Sequence, residues 1–252
     1  MSIYVTGDIH GRPDRLSAKY FEDQKDMTKD DAMVILGDFG LVFEQEESDL
    51  EKLFLDWLDQ KNFTTVAVLG NHENYDRIEK LPVEERYGGP VYVLRPSVVL
   101  LQSGYVYTIS GKKCFVFNGA ASHDISDGLL DGSDPEWEKK AIAMQEEGKK
   151  YFRIRGVSWW PQEVEADEAV YQRGLENLEK INYAPDYVFT HCASTSVEER
   201  IGYPYHSRLT DYFDEIEKKL PENTLWLFGH YHADAMISET RICLYEQIVR
   251  ID

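Results

Sequence analysis

The sequence predicts a layered α/β protein, with two β-sheets packed together and helices outside them. Three observations carry that prediction. Short apolar runs alternate with amphipathic helix patterns through the first third of the chain. Later β-rich runs follow one another about 7–8 residues apart, broken by Pro and Gly. Hydrophobic residues make up 42% and aromatics 13% of the 252 residues, enough for a sizeable core and too much for a disordered chain. The length suits a single domain over residues 1–252 that carries one insertion.

Five apolar runs end in Gly or Thr and give way at once to a polar residue. They are IYVTGDIH (3–10), AMVILGDFG (32–40), TVAVLGNHE (65–73), DYVFTHC (186–192) and LWLFGHYH (225–232). Such runs of Val, Ile, Leu, Phe and Tyr read as buried strands. Between them, residues 48–60 place Leu50, Leu53, Phe54, Trp57 and Leu58 on one helical face, and Ser48 with Glu51 forms a capping box. Residues 161–182 predict a second helix, with Pro161 in its first turn and Val164, Tyr171, Leu175 and Leu178 on one face. Residues 210–220 open on Thr210 and Asp211 and end on Lys218, Lys219 and Pro221, an order that suits capping and the helix dipole. The stretch 91–117 (VYVL, SVVLL, YVYTI, KCFVFNG) reads as a meander, with a turn at Gly88 and Gly89 before it. A similar β-rich end follows at 234–250. Residues 119–160, with a helix near 134–147, read as an excursion able to cover a site.

Charge and cysteine content narrow the function. The chain has 46 acidic and 27 basic residues, a net charge of −19. Such a surface repels phosphate backbones and anionic lipid, so neither long nucleic acid nor membrane is an expected partner. Cys114, Cys192 and Cys243 form neither a disulfide framework nor a CxxC site and fit a reducing compartment. No 18-residue apolar run occurs, and MSIYVTGD has no signal-peptide core, so the expected location is cytoplasmic.

The predicted strand ends hold Asp8 and His10, Asp38, Asn71 and His72, His191, and His230 and His232. Five of the seven histidines fall in this set. Carboxylate, imidazole and amide oxygen together suit borderline first-row divalent metals. The D-x-H and H-x-H spacings put two side chains on one side of an extended segment. Eight positions exceed what one tetrahedral zinc needs, so two metals fit better.

GDIHGR (7–12), GDFG (37–40), GNHE (70–73), THC (190–192) and GHYH (229–232) resemble the five ordered motifs of the calcineurin-like metallophosphoesterase superfamily. The resemblance implies a four-layer α/β/β/α sandwich of two mixed sheets flanked by helices, with a dinuclear centre at its edge. It assigns Asp8, His10, Asp38 and His232 to one metal and Asp38, Asn71, His191 and His230 to the other, so that Asp38 bridges. It implies Mn, Fe or Zn, with Mn expected to serve in vitro, and a hydroxide nucleophile made from a shared water. His72 then acts as general acid or stabilises phosphoryl charge. The implied partner is a small phosphorylated substrate or a phosphoprotein.

GDIHGR is close to the Ser/Thr protein phosphatases, but the second motif departs from them. Where they continue x-x-D-R-G, this chain has Phe39, Gly40, Leu41 and Val42. The Asp that orients the catalytic His and the Arg near phosphate are thus missing, with Glu44 and Glu73 as candidate replacements. GNHENYD with SWWPQE (158–163) resembles instead a bacterial or phage group of generic metallophosphatases. Arg12 is a candidate phosphate contact, because its planar fork suits phosphate. Asn118 follows a β run and is a candidate for the cleft. His123 and Asp124 could reach the site but read first as loop surface, Trp159 and Trp160 read as packing, and Cys192 as buried core. His206 receives no role. The competing reading is a non-catalytic metal-binding scaffold on the same fold. A metallo-β-lactamase-like hydrolase is excluded by the lack of H-x-H-x-D-H, and an aminopeptidase-type site would favour more carboxylates.

Overall fold

The computed structural model describes residues 1–203 and 205–252. The first half runs β1 (Ile3–Thr6), β2 (Ala32–Leu36), α1 (Asp49–Asp59), β3 (Thr64–Val68), α2 (Tyr75–Ile78), β4 (Val83–Arg86), β5 (Gly89–Arg95) and β6 (Val98–Leu101). The second runs β7 (Tyr105–Ile109), β8 (Lys112–Phe117), β9 (Gly128–Asp131), α3 (Trp137–Glu146), β10 (Phe152–Arg155), α4 (Glu168–Lys180), β11 (Tyr187–Thr190), α5 (Thr195–Ile201) and α6 (Arg208–Glu217). It ends with β12 (Leu225–Phe228), β13 (Ala235–Ser238), β14 (Arg241–Cys243) and β15 (Val249–Arg250).

Two mixed sheets form the centre. One has the order β15-β1-β2-β3-β6-β5-β4 and the other β13-β14-β12-β11-β8-β7. β1, β2, β3 and β6 run parallel in the first, and β8, β11, β12 and β14 in the second. Strand alternation distributes the apolar side chains over three cores. Val5, Val34, Val66, Val99, Cys114, Val116 and Phe189 meet between the sheets. Their neighbours Tyr4, Met33, Ile35, Ala67 and Leu100 turn outward against Leu55 and Leu58 of α1. Phe115, Phe117, Val188 and Trp226 turn the other way, against Tyr171, Leu178, Phe213 and Ile216 of α4 and α6. Three cores separate four layers, the expected α/β/β/α sandwich. No helix among the described residues is long and apolar enough to cross a membrane.

Several local expectations need correction. In α1 the capping box of Ser48 and Glu51 is present, but Leu50 and Leu53 are 59% and 61% exposed. The buried stripe is Glu51, Leu55 and Leu58. Glu51 is drawn in because its carboxylate accepts from Phe43, Glu44 and Ser48 N–H and pairs with Arg77. That anchor rotates the helix away from the face its leucines suggest. The helix expected over 161–182 is two pieces: Pro161–Glu163 makes a 3-10 turn, and α4 starts only at Glu168 after Asp167. Trp160 and Glu163 are both buried there, and this tertiary anchor breaks the helix. α6 begins earlier than expected, at Arg208, capped by Ser207 with Thr210 in the reciprocal position. The run 91–117 is not one meander, since β5 and β6 belong to one sheet and β7 and β8 to the other. The end of the chain divides likewise, with β15 returning to pair with β1.

Within residues 119–160 a separate two-stranded sheet forms, while Ala120 and Trp160 pack into the cores of the sandwich. β9 and β10 pair in parallel and α3 connects them, a small βαβ unit whose helix buries no side chain. Cys114, Cys192 and Cys243 are all buried and unpaired, and Trp159 and Trp160 are packed inside.

Candidate metal centre

The carboxyl ends of β1, β2, β3, β11 and β12 meet at one edge of the two sheets, where open α/β sheets bind ligands. Each end continues as a tight turn. His10, Asp38, His230 and His232 have φ of 45°, 41°, 68° and 48°, a left-handed backbone that side chains rarely adopt. Each such residue costs on the order of 1 kcal/mol or more, so strain collects at the candidate ligands. Backbone bonds hold the turns in place. His10 N–H donates to Asp38 O at 2.8 Å, His72 N–H to Asp38 Oδ1 at 2.9 Å and His230 N–H to Asp8 Oδ1 at 2.9 Å. The motif glycines make room. A Cβ on Gly70 would lie 2.1 Å from Asp38 Oδ1, and one on Gly229 would lie 2.2 Å from Asp8 Oδ1.

Three sets of donors converge, with their ligand atoms within 4.8 Å of one another: Asp8, His10 and His232; His10, Asp38 and His72; and Asp8, Asp38 and His191. Asp38 faces both ways. Its Oδ1 lies 3.2 Å from His191 Nε2, and its Oδ2 lies 3.8 Å from His10 Nε2 and 4.0 Å from His72 Nε2. His10 Nε2 and His232 Nε2 are 2.9 Å apart. His191 Nδ1 donates to Leu36 O at 2.8 Å, which leaves Nε2 to face Asp38 and Asn71 Oδ1, the latter at 3.1 Å. Asn71 Nδ2 donates to Ser122 Oγ, and Ser122 N–H donates to the buried carboxylate of Glu163. The SWWPQE segment thus reaches the site through Glu163, a link that no spacing rule reveals.

His230 stands apart from these three sets. Its Nε2 faces His123 Nε2 at 2.7 Å and the two rings stack. His123 is exposed on its loop and also reaches the site. So does Asp124, whose carboxylate pairs with Arg153 of β10. Arg153 was not anticipated; its only sequence signal is the alternating FRIR run of β10 in an acidic chain. Its Nη2 lies 3.4 Å from His72 Nδ1. Glu44 and Glu73 do not orient His72. Glu44 is exposed, and Glu73 accepts from Phe39 and Gly40 N–H. Asn118 is also misplaced as a cleft residue. Its amide oxygen accepts from Leu69 N–H and its NH₂ donates to Leu101 O, so it ties β8 to the first sheet. His206 is exposed beside Glu199 and Asp211, away from the centre.

Asp8, Asp38, Asn71 and His191 are buried, while His10 and His232 are partly exposed. Burial works to raise the Asp38 carboxyl, but His191, His72 and His10 hold it well below the usual carboxylate range. Burial works to lower His191, and Asp38 and Asp8 overcome it and push the ring up to about 9. Burial, reinforced by Asp38, pushes Glu73 up to about 8. Two clefts adjoin at His72. One of about 580 Å³ is lined by His10, Arg12, Phe43, Leu50, His72 and Arg153. The other, about 330 Å³, is lined by Asn71, His72, His123, Asp124, Tyr203 and His230.

The family model for calcineurin-like phosphoesterases matches residues 1–234. The chain belongs to the calcineurin-like phosphoesterase family. It is a metal-dependent phosphoesterase in general class, and its aspartates and histidines form candidate metal sites. No curated protein matches this phosphoesterase. The donor set fits the family's metals. Buried carboxylates with one buried and several partly exposed imidazoles suit divalent first-row ions, and the glycine gaps leave room around the carboxylate oxygens. Proton and cation compete for the same imidazole nitrogens.

Proposed function

We propose that this phosphoesterase hydrolyses a phosphate mono- or diester at a dinuclear centre, on a small phosphorylated molecule or a phosphoprotein. The observation that supports it best is Asp38, a buried carboxylate with one oxygen toward His191 and the other toward His10. On this reading Asp8, His10, Asp38 and His232 hold one ion, and Asp38, Asn71, His191 and His230 hold the other. Mn, Fe or Zn is the proposed metal, with Mn serving in vitro. Two such ions supply Lewis acidity toward the phosphoryl oxygens and lower the pKa of the attacking water.

The chain's own groups complete the chemistry. His72 is fixed through its backbone bond to Asp38, while its side chain is 26% exposed at the junction of the clefts. That placement suits proton delivery to the leaving oxygen, or stabilisation of charge on the phosphoryl group. Arg12 lines the larger cleft, and its guanidinium makes no hydrogen bond among the described residues, so it is free to meet phosphate. The net charge of −19 supports small or protein-borne phosphates over long nucleic acids and anionic membranes. Three buried, unpaired cysteines support a cytoplasmic setting.

The test is hydrolysis of nitrophenyl phosphate and bis(nitrophenyl) phosphate by Mn-loaded protein, with His72→Ala alongside. The wild type is expected to turn over at least one of them. His72→Ala is expected to lose about 10²–10⁴-fold in kcat while keeping its metal content. Full activity in His72→Ala would refute the proton-donor role. A metal-loaded wild type inert toward every ester would favour the scaffold reading.

A further inference from the structure

The βαβ excursion brings one side chain to the reacting edge. Arg153 lies on β10 opposite Leu129 of β9, and its guanidinium crosses to the wall of the larger cleft. Asp124 pairs with its Nη2, and the other oxygen of Asp124 is buried with no partner among the described residues. The ion pair thus holds the nitrogen that faces His72. Nη2 is 3.4 Å from His72 Nδ1. A guanidinium stays protonated and only donates, so Nδ1 must accept and the His72 proton must sit on Nε2. Nε2 is the nitrogen on the Asp38 side, at the candidate centre. Nε and Nη1 make no hydrogen bond among the described residues, and the side chain is 22% exposed. Spare donors in a planar fork, on a cleft wall shared with His10 and His72, match the oxygens of a phosphoryl group.

We propose that Arg153 is the positioning residue that sets the His72 tautomer and is also a phosphate-binding residue of the same site. This rests on the phosphoesterase reading above. The excursion is then a functional part of the centre, because it delivers the cation that the segment Phe39–Val42 does not carry. Asp124 acts through Arg153, holding its fork toward His72.

The experiment measures kcat/KM on nitrophenyl phosphate and the Kd for inorganic phosphate, with metal content and Tm, for Arg153→Ala, Arg153→Lys and Asp124→Asn. Arg153→Ala is expected to lose about 10²–10³-fold in kcat/KM and to bind phosphate more weakly, with metal content and Tm unchanged. Arg153→Lys keeps the charge without the fork and recovers part of the phosphate binding. Free guanidinium is expected to restore part of the Arg153→Ala activity and none of the His72→Ala activity, which a merely structural arginine would not allow. If Arg153→Ala fails to fold, Arg153→Met takes its place. Unchanged kcat/KM and phosphate affinity would overturn the proposal, and so would a loss that tracks lost metal. A wild type that binds phosphate through Arg153 yet hydrolyses no ester would remove the proposed function while leaving the phosphate contact standing.

Discussion

At the scale of the residue, Asp38 shows how little freedom the centre has. Its backbone is left-handed, its Oδ1 accepts from His72 N–H, and a Cβ on Gly70 would collide with it. On the proposed dinuclear reading, Asp38→Asn is expected to cost metal at both positions, since Asp38 belongs to two of the three donor sets. Metal analysis of the desalted variant checks this, and one full equivalent retained would exclude the bridge. The ligand-type residues were legible because each follows an apolar run within a few positions of its end. The roles of Arg153, Glu163 and Asp124 were not, because they depend on contacts 29 to 81 residues apart in the chain. Asn118 shows the converse. A polar residue just past a strand looks like a ligand-binding position, yet its amide is fully engaged with the backbones of Leu69 and Leu101. Sequence marks a position at a strand end but not which backbone lies opposite it.

At the scale of the element, α1 separates pattern from packing. Its caps were readable because they are local: Ser48 and Glu51 stand three residues apart and satisfy each other's donors. Its buried face was legible only in part: Phe54, Trp57 and Leu58 do pack on the core, but Leu50 and Leu53 are exposed and Glu51 is pulled inward by Arg77 and by the backbone of the preceding loop. The consequence is measurable. Leu58→Ala is expected to lose about 2–5 kcal/mol of stability, and Leu53→Glu to stay within about 0.5 kcal/mol of wild type. Chemical denaturation of both variants decides it, and equal losses would restore the face drawn from the leucine spacing. The split at Pro161 has the same origin. A helical period continues across 161–182, but burial of Trp160 and Glu163 fixes the chain as a turn before α4 can start.

At the scale of the whole molecule, burial of acids ties stability to pH. Burial pushes Glu73 and Glu163 up to about 8 and Glu198 up to about 7, all above the ordinary 4.5. His191 is raised to about 9, with Asp38 and Asp8 outweighing burial. In every case the folded protein holds its proton over a range where the unfolded chain has released it. Below about 6.5 the lowered His10, His123 and His230 act in the opposite direction, so stability of the metal-free protein is expected to fall as pH rises from about 6.5 to 9. Thermal melts of chelated protein across that range measure the slope. Glu163→Gln is expected to flatten the part below about pH 8, and a stability that rises with pH would contradict the assignment. The acidic surface, at −19, adds repulsion in the same direction.

By itself the sequence determined the layered α/β class, the capped start of α1, and the residues that gather at the sheet edge. Those features are local or periodic: a strand declares itself by its apolar run, a cap by a spacing of three, a ligand by its place after the run. Only the tertiary structure decided that β5–β6 and β7–β8 part company between sheets, that α1 buries Glu51 rather than Leu53, and that the excursion carries Arg153 to His72. Those outcomes depend on which distant segment supplies a partner for a buried charge or an unpaired backbone group, and no periodicity along the chain encodes that choice.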